Sequence, residues 1–261
     1  MSELIAALAE AAPLAESAIL TFMLVFARVS ATAALLPGFG SQMIPARIKL
    51  GVGLSFAAIV APLVDVGTLP RDLASLATAI GIEIVAGLVL GLSIRLLVMA
   101  LQFAGAIAAQ ATSIAQIMGP GAMPDPLPAL GALLTLAGIT LALTLGLHLR
   151  AAEAMVLSYD LIPPGRLPAA ADVATWGTAR VAETFALGLT LAAPFVLAAL
   201  AYNIALGAIN RAMPQLMVAF VGAPAITGGA LLLLLVGGPL IITTWADAMA
   251  QLLADPLAIR P

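Results

Sequence analysis

Residues 76–101 read LATAIGIEIVAGLVLGLSIRLLVMAL, with Glu83 and Arg95 as the only charges. A hydrocarbon core of about 30 Å is crossed by roughly 20 helical residues, so this stretch is long and apolar enough to span. The rest of the chain repeats the pattern. Of 261 residues, 63% are hydrophobic and 9% charged, whereas a soluble domain is about one quarter charged. In lipid every backbone N–H and C=O must be satisfied within the protein, which favours helices for apolar runs of this length. The expected fold class is all-α: a polytopic membrane protein with about six apolar helices in a single domain over residues 1–261.

Working outward from 76–101, charge-poor runs place the other spans near 17–36, 48–64, 129–148, 181–202 and 223–246. Residues 149–180 carry Arg150, Glu153, Asp160 and Asp172 and the turn-rich Ile162-Pro163-Pro164-Gly165-Arg166, and read as a solvated loop. The first 27 residues hold Glu3, Glu10 and Glu16 but no Lys or Arg. A cleavable leader begins with a basic segment, so the first span is expected to be retained as an anchor.

Several chemistries are excluded by inventory. With 10 Lys+Arg against 13 Asp+Glu, the net charge is -3, and no basic cluster is present to track a phosphate backbone, so nucleic acid is not an expected partner. Cysteine is absent and His148 is the only histidine, which removes thiolate chemistry, Cys-based clusters and multi-His metal sites. No metal and no cofactor is expected. Gly91-Leu92-Ser93 with His148 is the only arrangement resembling a nucleophile and base, and such a triplet arises readily by chance. No phosphate-binding Gly-x4-Gly-Lys loop occurs, and the chain is not read as an enzyme.

Four groups of residues stand out. Glu83, Gly87, Gly91 and Arg95 recur every four positions, a ridge whose glycines allow close helix approach; ordinary helix packing and a dedicated contact face are both open. Arg28 lies within the first span, where a guanidinium costs roughly 2.5–3.5 kcal/mol on insertion scales, so it either faces protein or water or snorkels to headgroups. Asn203, Gly207, Asn210, Arg211, Pro214 and Gln215 form a polar strip closed by a proline, read either as a contact surface or as an interfacial loop. Finally, Gln110, Ser113 and Gln116 make a neutral polar stripe leading into Gly119-Pro120-Gly121-Ala122-Met123-Pro124-Asp125-Pro126-Leu127-Pro128. Such backbone is non-helical, and at apolar depth it is tolerated only when buried in protein or lining a cavity. The charge-free flank, with Ile117, Met118 and Met123, favours a cavity lining in which flexible side chains pack as a compliant seal.

In their order along the chain these residues resemble the FliR family of flagellar biosynthetic proteins and its injectisome counterparts. Pro45-Ala46-Arg47-Ile48-Lys49-Leu50-Gly51 is similar to the family's Pro-x-Arg-x-Lys-x-Gly. Glu83-x3-Gly87-x3-Gly91, Gly105, Gln110, Asp125-Pro126, Gly146-x-His148-Leu149, Pro194 and Asn203-x3-Gly207-x2-Asn210-Arg211-x2-Pro214-Gln215 follow. Ala106 and Thr112 depart from the family's pattern. The resemblance implies a core subunit of the flagellar type III protein-export gate in the bacterial inner membrane, at the flagellar basal body. FliP and FliQ would be its partners, with FlhB and FlhA in contact and unfolded proteins as cargo. It further implies tilted helical hairpins within a helical hetero-oligomer. By position, a pore plug would comprise Ser113, Ile114, Gln116, Ile117, Met118, Gly119, Pro120 and Met123. Glu83, Gly87, Gly91, Arg95 and the 203–215 strip would serve assembly or packing. A small-solute membrane transporter is the alternative, suggested by Arg28, Glu83 and the broken helix.

Overall fold

The computed structural model describes residues 2–41, 44–70, 72–112, 129–213 and 218–258, with side chains described from residue 11 onward except at 218–223. The helices are α1 (Ser2–Leu35), α2 (Ala46–Val60, extended by a 3-10 turn over Ala61–Leu63), α3 (Leu73–Ala111), α4 (Ala129–Thr144), α5 (Leu147–Leu161), α6 (Ala170–Ala212) and α7 (Val218–Ala254). Among the described residues there is no strand.

Five helical stretches are long and apolar enough to cross a membrane, and the α4–α5 pair brings the number to six if it counts as one broken span. These six coincide with the six sequence runs, but their lengths differ. At 1.5 Å per residue the 39-residue α3 is about 58 Å long and the 43-residue α6 about 64 Å, roughly twice a hydrocarbon core. Reading only the apolar runs trims such helices at their first polar residues, whereas backbone hydrogen bonding carries them on through Gln102, Gln110, Asp172 and Asn203.

The expected loop over 149–180 is corrected most. Residues 147–161 are helical, only 162–169 connect, and α6 begins at Ala170. The reason is an amphipathic pattern: Leu147, Ala151, Ala154, Met155, Ser158 and Tyr159 are buried, while Arg150, Glu153 and Asp160 are exposed. That is the i, i+4, i+7, i+8 spacing of one helix face. The span expected over 129–148 likewise ends early, because the chain bends by 76° between α4 and α5. Gly146 sits at φ +83, a left-handed conformation that glycine adopts without steric penalty.

Helix α3 starts with a reciprocal cap. The Ser75 backbone N–H donates to Asp72 Oδ1 at 3.0 Å, the Asp72 N–H meets Ser75 Oγ at 3.3 Å, and the two side chains also hydrogen-bond. The Ser75 hydroxyl, and then its backbone N–H, hold the Asp72 carboxyl below its ordinary range.

The chain folds as two compact units. One comprises Met1–Arg95, Gly146–Thr178 and Ala250–Pro261, the other Leu96–Leu145 and Ala179–Met249, and α3, α6 and α7 each run from one into the other. In the first, α1 and α2 form a hairpin: Lys49 Nζ donates to the Gly40 carbonyl at 3.3 Å, and a Cβ at Gly53 would stand 3.4 Å from the Phe26 ring. In the second, α3 and α4 touch backbone to backbone, since a Cβ on Gly105 would overlap Gly131. Trp245 of α7 is fully buried there, and its indole N–H donates to the Leu97 carbonyl at 2.8 Å. Phe103 and Phe185 stack with centroids 4.5 Å apart, an offset geometry worth about 0.5–1.5 kcal/mol beyond its area.

Candidate functional site

Two of the charges noted in the spans meet in the first unit. Arg28 Nε lies 2.7 Å from Glu83 Oε2, and the two side chains are only 1% and 2% exposed. Desolvating two ions is costly, and the pair is tolerated where geometry and further hydrogen bonds compensate. Arg28 Nη1 donates to the Ser158 carbonyl at 3.0 Å and to Ser158 Oγ at 3.3 Å, and the guanidinium carbon lies 3.9 Å from the Tyr159 ring centroid. Among the described residues, Arg28 Nη2 and the Tyr159 hydroxyl have no hydrogen-bond partner. Burial in protein, rather than snorkelling, is therefore how Arg28 is accommodated.

The Glu83 ridge explains how this node is reached. A Cβ at Gly87 would overlap the Arg28 carbonyl oxygen, and one at Gly91 would lie 2.9 Å from the Leu35 Cβ, so both glycines set α3 directly against α1. The Thr32 hydroxyl lies 3.0 Å from the carbonyl oxygens of both Arg28 and Gly87 and donates at the crossing. Glu83, Gly87 and Gly91 thus pack within the chain; Arg95, the fourth residue of the ridge, is exposed. Ser158 and Tyr159 belong to no motif in the sequence. The buried face of α5 was the signal that could have found them.

The polar strip lies elsewhere. Asn203, Gly207, Asn210 and Arg211 all fall on α6, all are exposed, and no atom of the described residues lies within 4 Å of a Cβ built on Gly207. The spacing 203, 207, 210, 211 puts them on one face of the helix. Ile204 and Met213 are also exposed beside them. Pro214 and Gln215 lie outside the described residues, as do the plug positions Ser113, Ile114, Gln116, Ile117, Met118, Gly119, Pro120 and Met123. Before that segment, α3 ends with Gln110 exposed and with the buried Thr112 hydroxyl donating to the Ala108 carbonyl at 2.7 Å. Ser93 is buried and donates to the Leu90 carbonyl at 2.6 Å, while His148 is exposed on α5; the structure gives no hydrogen bond between them.

Residues 19–252 match the family model described as bacterial export proteins, family 1. The flagellar biosynthetic protein FliR of Caulobacter vibrioides is 39% identical over 236 residues, covering 88% of this chain and 93% of that protein. The protein of the same name from Aquifex aeolicus is 30% identical over 244 residues, covering 89% and 90%. That of Escherichia coli K12 is 28% identical over 200 residues, covering 76% of each. A match spanning nearly the whole chain, on a fold of long apolar helices, identifies the chain as a member of the bacterial export proteins, family 1, the FliR family of flagellar biosynthesis.

Proposed function

We propose that this export protein acts as one domain in the core of the flagellar type III export gate of the inner membrane, joining FliP and FliQ around a passage for unfolded proteins and meeting FlhB and FlhA. The observation that carries the reading is the polar strip on α6. Asn203, Gly207, Asn210 and Arg211 stand exposed on a helix apolar enough to cross a membrane. Amides facing lipid tails lack partners, whereas across a helix–helix interface they hydrogen-bond, and a glycine beside them admits a close neighbour. A subunit that functions inside a hetero-oligomer needs such a face. The transporter alternative has less to stand on: Arg28 and Glu83 pair with each other at 1–2% exposure and offer no charge to a solute.

In this reading the segment 113–123 seals the passage, with Met118 and Met123 as deformable packing at its end. Replacing both with glycine removes that packing without adding charge. The double variant Met118→Gly, Met123→Gly is expected to make cells expressing the assembled gate leaky to ions, measured as chloride or sodium conductance across the inner membrane. Unchanged conductance together with normal flagellar export would remove the plug assignment.

A further inference from the structure

A cleft of about 360 Å³ opens in the first unit where α5 ends and α6 begins, lined among others by Leu161, Arg166, Leu167, Asp172, Trp176 and Leu257. Its position is informative. Leu161 closes the α4–α5 pair and Ala170 opens α6, both apolar enough to cross a membrane, so the connection 162–169 joins two candidate spans, and connections of that kind are where headgroups are met. That connection is stiff: Pro163, Pro164 and Pro168 fix φ, Gly165 turns at φ +69, and the Arg166 N–H closes a turn onto the Pro163 carbonyl at 3.3 Å.

The cleft carries one charge of each sign, Arg166 on the connection and Asp172 in the first turn of α6. Both are exposed, and among the described residues neither has an ion-pair partner, although the same cleft presents them. A cation and an anion presented by one cleft with an apolar floor complement a zwitterion. Trp176, one helical turn beyond Asp172, is buried and gives that floor the amphipathic ring favoured at membrane interfaces.

We infer that this cleft binds the headgroup of a zwitterionic phospholipid bearing a primary ammonium, phosphatidylethanolamine in chemical class. The Arg166 guanidinium presents a planar fork matched to the phosphate oxygens, and the Asp172 carboxylate accepts hydrogen bonds from the ammonium. The first acyl methylenes lie on Leu161, Trp176 and Leu257. Each alternative headgroup leaves something unmet. A quaternary choline has no N–H to give Asp172, and an anionic glycerol headgroup brings no cation to it.

The test is competitive retention, which uses no export assay and so stands or falls separately from the gate reading. The full chain, co-purified with whatever subunits accompany it, is placed in nanodiscs of equal parts palmitoyl-oleoyl phosphatidylethanolamine, phosphatidylcholine and phosphatidylglycerol. The lipids that survive release are counted by native mass spectrometry. The wild type is expected to retain phosphatidylethanolamine over phosphatidylcholine by about tenfold, the ratio expected for one charge-assisted hydrogen bond. Asp172→Asn, an exposed isosteric change, should bring that ratio close to one, and Arg166→Gln should lower retention of all three. Equal retention of the ethanolamine and choline lipids by the wild type, or preference for phosphatidylglycerol, overturns the inference. So does a preference that survives Asp172→Asn, because the ammonium would then be recognised elsewhere.

Discussion

Arg28→Leu is expected to destabilise the folded chain by about 3–5 kcal/mol, the range for removing one partner of a buried ion pair. The substitution leaves the Glu83 carboxylate at 2% side-chain exposure without its 2.7 Å partner, and it also leaves the Ser158 carbonyl and hydroxyl without their donor. Native domains hold only about 5–15 kcal/mol in total, so the loss should be visible as reduced accumulation in the membrane fraction and a lowered unfolding midpoint in detergent. Glu83→Leu strands the guanidinium instead and should behave alike. The double change Arg28→Leu, Glu83→Leu removes both charges together, and well-packed apolar replacements of buried pairs are often neutral. It should therefore recover most of the lost midpoint. A single variant that unfolds with the wild type would show that the pair does not hold α1 against α3, and a double variant worse than either single would contradict the electrostatic account.

Gly105→Leu should be comparably damaging for a steric reason. A Cβ at Gly105 would overlap the Gly131 backbone, so no rotamer of a neighbour can make room and α3 must separate from α4. Overpacking a core commonly costs about 1–3 kcal/mol and more where backbone must move. Gly81→Ala is the matched control on the same helix, because nothing lies within 4 Å of a Cβ there. With glycine about 1 kcal/mol worse than alanine in a helix interior, it should be neutral or slightly stabilising. Limited proteolysis and thermal unfolding of the two variants give the comparison. Equal behaviour of Gly105→Leu and Gly81→Ala would mean that the helices do not meet at Gly105.

Apolar length is enough to name the fold class and to locate five long apolar helices and the broken α4–α5 pair, because a long apolar run in lipid must satisfy its backbone as helix. It is not enough to find the helix ends. Gln102, Gln110 and Asn203 are polar but are tolerated within helices, so the purely apolar runs end before the hydrogen-bonded helices do. In α5 charge and helical period point in different directions. Arg150, Glu153 and Asp160 mark 149–180 as solvated chain, while the buried period through Ala151, Ala154, Met155 and Ser158 lies in the same residues.

The node shows where local reasoning stops. Arg28 and Glu83 were each recognisable as charges inside apolar segments, but their pairing joins positions 55 apart, and Ser158 is 130 from Arg28. No periodicity encodes a contact of that separation. The glycines were more legible: a four-residue spacing states that one helix can be approached closely, and the partner of Gly87 and Gly91 is α1 of the same chain.

The exposed amides of α6 make assembly the central claim, and mass measurement addresses it directly. The tagged chain would be co-expressed with FliP and FliQ from the same bacterium, extracted gently and weighed by native mass spectrometry, beside an Asn203→Leu, Asn210→Leu variant. A particle of fixed composition containing all three proteins, lost in the variant while the chain itself still accumulates, is the expected result. A wild-type chain that purifies as a monomer or homo-oligomer, ignoring both partners, would contradict it.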